Sequence, residues 1–342
     1  MRGANRHFVV LVALMLLTTI FFSQIPVSAE SDECEQGLAC DWIKTGSNSN
    51  IVVIQEITAI WCEICATTDI TIQEFTHQRN QEVARIAYHP DDGLDYLGNR
   101  LSTRQMWNLG ENPTEAEFPT IWMDGGNRAS GPTTNDQLQR NYLKAAGQRT
   151  TEDTIEIEYF NHVSNWSGEG HQRLEFITTI TGENSDKITL VLKENAVQIE
   201  NPQLYNGVSH HDDVATSGVM VNSNNGTIIF SEPSDAWRIV DLEINENFSK
   251  FQIFYDYNAS SIIDDDLMAH KGLVAYTENS EGKIIAALHI ESANQNLDDE
   301  NISIIIITGV AIIGIILATS ILNNLKDSKL HNEIKNGAES EE

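Results

Sequence analysis

The sequence predicts an α/β domain, then an all-β sandwich, then a single C-terminal transmembrane helix. Three observations predict this order. Apolar strand-like and helix-like runs alternate between residues 48 and 150. Short runs of period two follow one another from 151 to 296. Residues 302–322 carry no charge, and a stretch of that length crosses a bilayer core.

The first domain begins with Ile51-Val52-Val53-Ile54, a β-branched run suited to a buried strand. Apolar residues at Ile70, Ile72 and Phe75 predict a helix after Cys65 that runs to about Gln78. A second strand is expected over 83–88, a helix over 101–109 and a third strand over 121–123. Gly125-Gly126 turns that strand, and a faint antiparallel strand is expected near Arg128 and Ala129. Asn135 or Asp136 caps a last helix, 137–146. This β–α–β–α–β–turn–α order predicts an open α/β layer arrangement.

The texture changes near Thr151. Residues 154–160 alternate with period two, as strands with one buried face do. Similar runs recur at 174–181, 188–193, 226–230, 237–244, 251–257, 272–277 and 284–290. Short strands at such spacing predict an immunoglobulin-like sandwich.

The two ends read as targeting segments. Arg2 and Arg6, an apolar run over 8–22 and Val27-Ser28-Ala29 predict a signal peptide, 1–29. A polar linker, 30–47, follows. Acidic residues precede the span at Asp298, Asp299 and Glu300, and Lys326 and Lys329 follow it. That asymmetry places the tail, 323–342, inside and the body outside the cytoplasm. The formal charge of −29 disfavours nucleic acid and anionic lipid as partners. Asn165, Asn225, Asn247, Asn258 and Asn301 are sequons within the exported part.

All four cysteines, Cys34, Cys40, Cys62 and Cys65, lie in that exported part, where disulfides persist. Three pairings are possible; 34–40 with 62–65 is the most economical, because each pair is local. Cys34–Cys40 then reads as a structural clip. Cys62-Glu63-Ile64-Cys65 has the spacing of a dithiol at a helix start. There the helix dipole and free N–H groups stabilise the first thiolate, and the second thiol lies within reach to resolve a mixed disulfide. By itself the spacing also suits half a zinc site or a plain bridge. Glu56, six residues earlier on the buried strand, is placed to take the proton of Cys65 if burial raises its pKa. Phe118-Pro119-Thr120 opens the third strand.

Apolar strand, Glu56, Trp61-Cys62-x-x-Cys65, helix, strand, helix, Phe118-Pro119-Thr120, strand, Gly-Gly turn and helix together resemble the thioredoxin superfamily over about 48–150. The exported part is also similar to envelope proteins with a C-terminal β-domain, through Ile54-Gln55-Glu56-Ile57-Thr58 and Gly272-Leu273-Val274-Ala275-Tyr276-Thr277. The resemblance implies that Cys62 is the nucleophile, Cys65 the resolving thiol, Glu56 the buried carboxylate and Pro119 the cis-proline of a substrate groove. It implies a membrane-anchored thiol–disulfide oxidoreductase acting on exported proteins with disulfides. Glu63-Ile64 departs from the Gly-Pro of thioredoxin. A carboxylate beside Cys62 disfavours its thiolate, which predicts a reductase or isomerase tendency. The span and tail hold no cysteine, so a separate membrane redox partner is expected. The alternative is a non-catalytic surface binding or adhesion protein with a structural disulfide.

No cofactor is expected: neither a phosphate-binding glycine loop nor a Ser–His–Asp arrangement is evident. No metal is expected either. His210-His211-Asp212-Asp213 offers metal-ligand chemistry but reads as a solvated loop, and His89 reads as a loop residue.

Overall fold

The structure, a computed structural model, describes residues 39–45, 51–149, 153–164, 171–182, 184–245, 248–258 and 271–290. The chain opens with β1 (Ala39–Thr45), β2 (Val52–Ile57), α1 (Glu63–His77), β3 (Val83–Tyr88) and α2 (Arg100–Asn108). Then come β4 (Thr120–Met123), β5 (Gly126–Ser130) and α3 (Asn135–Gln148). The strands β6 (Thr154–Ser164), β7 (His171–Thr181), β8 (Lys187–Glu194), β9 (Val197–Gln198), β10 (His210–His211) and β11 (Val214–Asn222) follow. The last are β12 (Ile228–Glu232), β13 (Trp237–Asn245), β14 (Phe248–Asn258), β15 (Lys271–Glu278) and β16 (Ile284–Ile290).

Every residue of β2 and β3 is buried, which explains their continuous apolar texture: both faces of this parallel pair are covered. Val52, Ile54 and Val83 point to one face, against Ile72 and Phe75 of α1 and Leu138 and Ala145 of α3. Ile51, Val53, Ala84 and Ile86 point to the other, as period two requires. The buried face of α1 is Cys65, Thr68, Asp69, Ile72, Phe75 and Thr76, which follows helical spacing.

The molecule is not an α/β thioredoxin-like domain followed by a separate immunoglobulin-like sandwich, the fold class its sequence predicts. It is mostly β: sixteen strands stand against three α-helices among the described residues. Strands from both halves share one nine-stranded sheet, in the order β16-β15-β8-β11-β3-β2-β4-β5, with β12 beside β11. The junction is parallel, Val214 opposite Ala87, with the Ala87 N–H donating to the Asp213 carbonyl at 2.8 Å. The physical reason is edge satisfaction. An outer edge of β3 left unpaired would expose backbone donors and acceptors, and β11 meets that edge at Ala87.

The five-stranded sheet, β1-β6-β7-β14-β13, packs on one face of the larger sheet. Ile155, Phe176 and Phe251 there meet Leu190, Val219 and Leu288 of β8, β11 and β16. The large sheet coils until its ends touch. Ile284 N–H donates to the Asp124 carbonyl, and a Cβ on Gly125 would sit 2.4 Å from the Gly282 carbonyl oxygen. Gly125 also has φ +70°, so glycine is required there twice over. No helix among the described residues is long and apolar enough to cross a membrane. The expected span at 302–322 and the signal peptide at 1–29 lie outside the described residues.

Candidate functional site: the Cys62–Cys65 loop

Cys62 and Cys65 are joined by a disulfide, with Cα atoms 5.2 Å apart. The loop that presents them is built by β2 and α1. Thr58 N–H donates to the Tyr88 carbonyl at the end of β3, and Cys62 N–H donates to the Ala59 carbonyl, which turns the chain into the helix. Cys62 is the N-cap of α1, and its Sγ accepts the Cys65 N–H at 3.2 Å. Cys65 is fully enclosed, whereas Cys62 keeps 8% of its surface exposed. The two sulfurs are therefore unequal, with Cys62 the one an external group reaches.

Cys62 opens on a cleft of about 610 Å³ lined also by Trp61, Glu63, Ile64, Asp92 and Phe118. The rings of Trp61 and Phe118 meet edge to face at 5.0 Å. Trp61 Nε1 donates to Asp92 Oδ2 at 3.0 Å. Asp92 is itself fixed, since its Oδ1 accepts the N–H groups of Leu94 and Asp95. The Phe118–Pro119 peptide is cis, and Pro119 is buried.

Beneath the loop lies a buried charged cluster. Glu56 and Arg85 sit on the α1 side of β2 and β3. Arg85 Nε donates to Glu56 Oε2 at 2.7 Å, and its terminal nitrogens lie 3.4 Å from Asp69 and 3.9 Å from Asp213. Lys193 of β8, fully buried, pairs with Asp213 at 2.6 Å. Asp69, one helical turn beyond Cys65, accepts the Thr58 hydroxyl at 3.0 Å and faces His211 Nδ1 at 3.5 Å. Burial pushes the Glu56 carboxyl well above the usual range; Arg85 opposes this and Asp69 reinforces it. Burial pulls the Arg85 pKa down, but Glu56, Asp69 and Asp213 more than offset it, so the guanidinium stays charged. Burial, with His89 next to it, lowers the His211 pKa to about 4. The His89 and His211 rings meet edge to face at 5.1 Å, and His89 Nδ1 lies 2.8 Å from Asp95 Oδ2. That same Asp95 oxygen accepts the Ile60 N–H at 3.0 Å, which ties the cluster to the cysteine loop.

The second half of the chain also holds this loop from outside. Asn206 N–H donates to the Ile60 carbonyl at 2.9 Å. Its side-chain amide reaches the carbonyls of Ala59 and Cys62, each at 3.4 Å. Tyr205 packs against Tyr96, whose hydroxyl accepts the Glu200 N–H.

Of the residues singled out from sequence, Cys62, Cys65 and Pro119 lie at or beside the cleft. Glu56 lies in the cluster beneath, paired with Arg85. The Cys34–Cys40 pair falls on Cys34, outside the described residues; Cys40 lies in β1, its backbone opposite His162. One loop expectation is corrected, that of a solvated 210–213 segment; His89 lies in the loop after β3, as expected. His211 and Asp213 are buried and face Asp69, Arg85 and Lys193, and His89 is fully buried. Among the described residues no group of three or more His, Cys, Asp or Glu side chains is arranged to hold a metal ion. Sequence reasoning missed Asp69, Arg85, Lys193 and Asn206. Asp69 carried a usable signal, as a carboxylate four residues after Cys65 on the same helical face. Asn206 carried none.

No family model matches the chain. No curated protein matches it either. Among solved structures, it is similar to the X-ray crystal structure of a structural-genomics target protein from Agrobacterium tumefaciens, with 13% identity and a TM-score of 0.43. The match covers 72% of this chain and 96% of the other. A likeness at that level carries no argument about fold or function.

Proposed function

We propose that this chain is a thiol–disulfide oxidoreductase that acts through Cys62 and Cys65. The observation that carries the reading is the inequality of the two sulfurs: one caps a helix at the mouth of a cleft, and the other is sealed one turn deeper. A solely structural bridge has no need of an open cleft against one of its sulfurs.

In the reducing direction, the Cys62 thiolate attacks a substrate disulfide. A Cys62–substrate S–S bond forms, the substrate S–S bond breaks, and one substrate thiolate leaves with the electron pair and takes a proton from solvent. Cys65, deprotonated, then attacks Cys62 Sγ. The 62–65 bond forms, the mixed disulfide breaks, and the second substrate thiol is released. Two electrons pass from the dithiol to the substrate. The α1 N-terminus stabilises the Cys62 thiolate by its free N–H groups and dipole. The cluster beneath holds the proton of Cys65. Glu56, Asp69 and Asp213 face two cations, Arg85 and Lys193, so a protonated Glu56 leaves the cluster neutral, and the raised Glu56 pKa agrees with that. The exposed Glu63 in the first turn works against the Cys62 thiolate, which favours reductase or isomerase chemistry over strong oxidation.

The targeting features of the sequence support a site of action outside the cytoplasm. The C-terminal segment is the anchor, exported proteins are the substrates, and a separate membrane partner resets the dithiol. The test is thiol trapping. Cys65→Ser in the full chain is expected to accumulate mixed disulfides through Cys62, absent from Cys62→Ser. A Cys65→Ser protein that captures no partner would favour a surface binding protein with a structural bridge.

A further inference from the structure

The cleft at Cys62 has a one-sided charge. Two carboxylates line it, Glu63 and Asp92, and no cation does. Glu63 is exposed, directly follows the attacking cysteine and makes no ion pair among the described residues. Asp91 and Glu115, chain neighbours of lining residues, are exposed as well. The cation nearest along the chain to the Phe118 wall is Arg128, and it is taken. Its Nε lies 2.7 Å from Glu111, and its other end lies 3.1 Å from Glu117. Ser130 also donates to Glu117, and these hydrogen bonds, Ser130 first, hold the Glu117 carboxyl below its usual pKa. Arg128 is thus engaged by two carboxylates outside the cleft lining and is not among the residues that line it.

Apart from Cys62 and the polar Thr114, the remaining lining is apolar or aromatic: Trp61, Ile64, Pro113, Ala116 and Phe118. The cleft is open, with Trp61, Ile64, Glu63 and Asp92 all exposed, so the carboxylates act on a bound chain through solvent and salt screens their field. The geometry points to a substrate class: the site takes disulfide-bearing segments with positive charge beside the cysteine and turns away acidic ones. Glu63 is the residue that sets this preference. The inference rests on the thiol-exchange reading above and extends it from chemistry to selectivity. A Glu at this position costs the enzyme thiolate stability, and a cationic substrate neutralises that cost only when it is bound.

The test uses the full chain, reduced, and three peptide disulfides identical except for flanking Lys, Gln or Glu. Each second-order rate is divided by that peptide's own rate with dithiothreitol, which removes intrinsic differences in leaving group. The Lys peptide is expected to outrun the Glu peptide by about tenfold at low salt, with the gap closing as salt rises. Glu63→Gln should narrow the gap, and Glu63→Lys should reverse it. Equal normalised rates for all three peptides, or a gap unchanged in Glu63→Lys, would overturn the inference and leave the thiol-exchange reading standing. No exchange with any peptide would overturn both.

Discussion

The two sides of the α1 N-terminus are built on opposite principles. On the cleft side, Trp61, Ile64 and Phe118 stand half-exposed around Cys62 with carboxylates that have no buried partner. On the underside, Glu56, Asp69, Arg85, Lys193 and Asp213 are shut away from water and pair with one another, although Glu56 Oε1 has no hydrogen-bond partner. The outer side is open to exchange, and its charges are cheap to change. The inner side is bistable at most in where one proton sits, and each of its charges depends on the others. It also draws on both halves of the chain, since Lys193, His211 and Asp213 come from β8, β10 and the link into β11. The cysteine loop is therefore supported from below by residues far along the sequence.

This contrast orders the expected effects of substitution. Arg85→Met should be the most damaging, because it leaves Glu56, Asp69 and Asp213 without their shared cation. A loss on the order of 3–5 kcal/mol is expected in denaturant unfolding. A near-neutral result would break the claim that the cluster is interdependent. His211→Gln should act through pH. In the fold His211 stays neutral down to about pH 4, whereas an unfolded histidine protonates near 6.5. Between those values the unfolded chain binds the extra proton, so stability falls as pH falls. The variant should lose this slope, worth roughly 3 kcal/mol across the window. Glu56 runs the other way: its raised pKa makes stability fall as pH rises through it. The difference between wild type and variant isolates the histidine.

Asn206→Ala removes an amide from the carbonyls of Ala59 and Cys62 and should cost about 1 kcal/mol. Its sharper readout is faster hydrogen exchange at the 59–62 loop. Unchanged exchange there would separate the second half of the chain from the site. Asp92→Asn, on the open side, should shift stability by less than about 0.5 kcal/mol while changing Trp61 fluorescence, because the indole loses a carboxylate acceptor.

The local elements of the first half were legible because they depend on neighbours in sequence. The β-branched run of β2, the helical spacing from Cys65 to Phe75 and the Gly125-Gly126 turn each follow from short-range rules. The division into two domains was not, because it turned on a pairing of Val214 with Ala87 across more than half the described chain. Strand edges look alike in sequence whether they meet solvent or a distant strand. Lys193 misled for a related reason. It ends an apolar run and reads as a polar strand end, yet its ammonium is buried because Asp213, in the link into β11, lies 2.6 Å away. His211 and Asp213 looked solvated since a polar run has no visible inside until β11 is placed. The Cys62–Cys65 pairing was legible because it is local; the groups that surround Glu56 were hidden because they are not.

The central claim is that the 62–65 bond exchanges in the folded protein. Its most direct test is reduction of the native full chain by dithiothreitol, followed by alkylation and mass spectrometry, with circular dichroism recorded on the same samples. The account predicts that the bond opens while the β signal is unchanged and that Cys62 is alkylated before Cys65. A bond that opens only as the protein unfolds would contradict it.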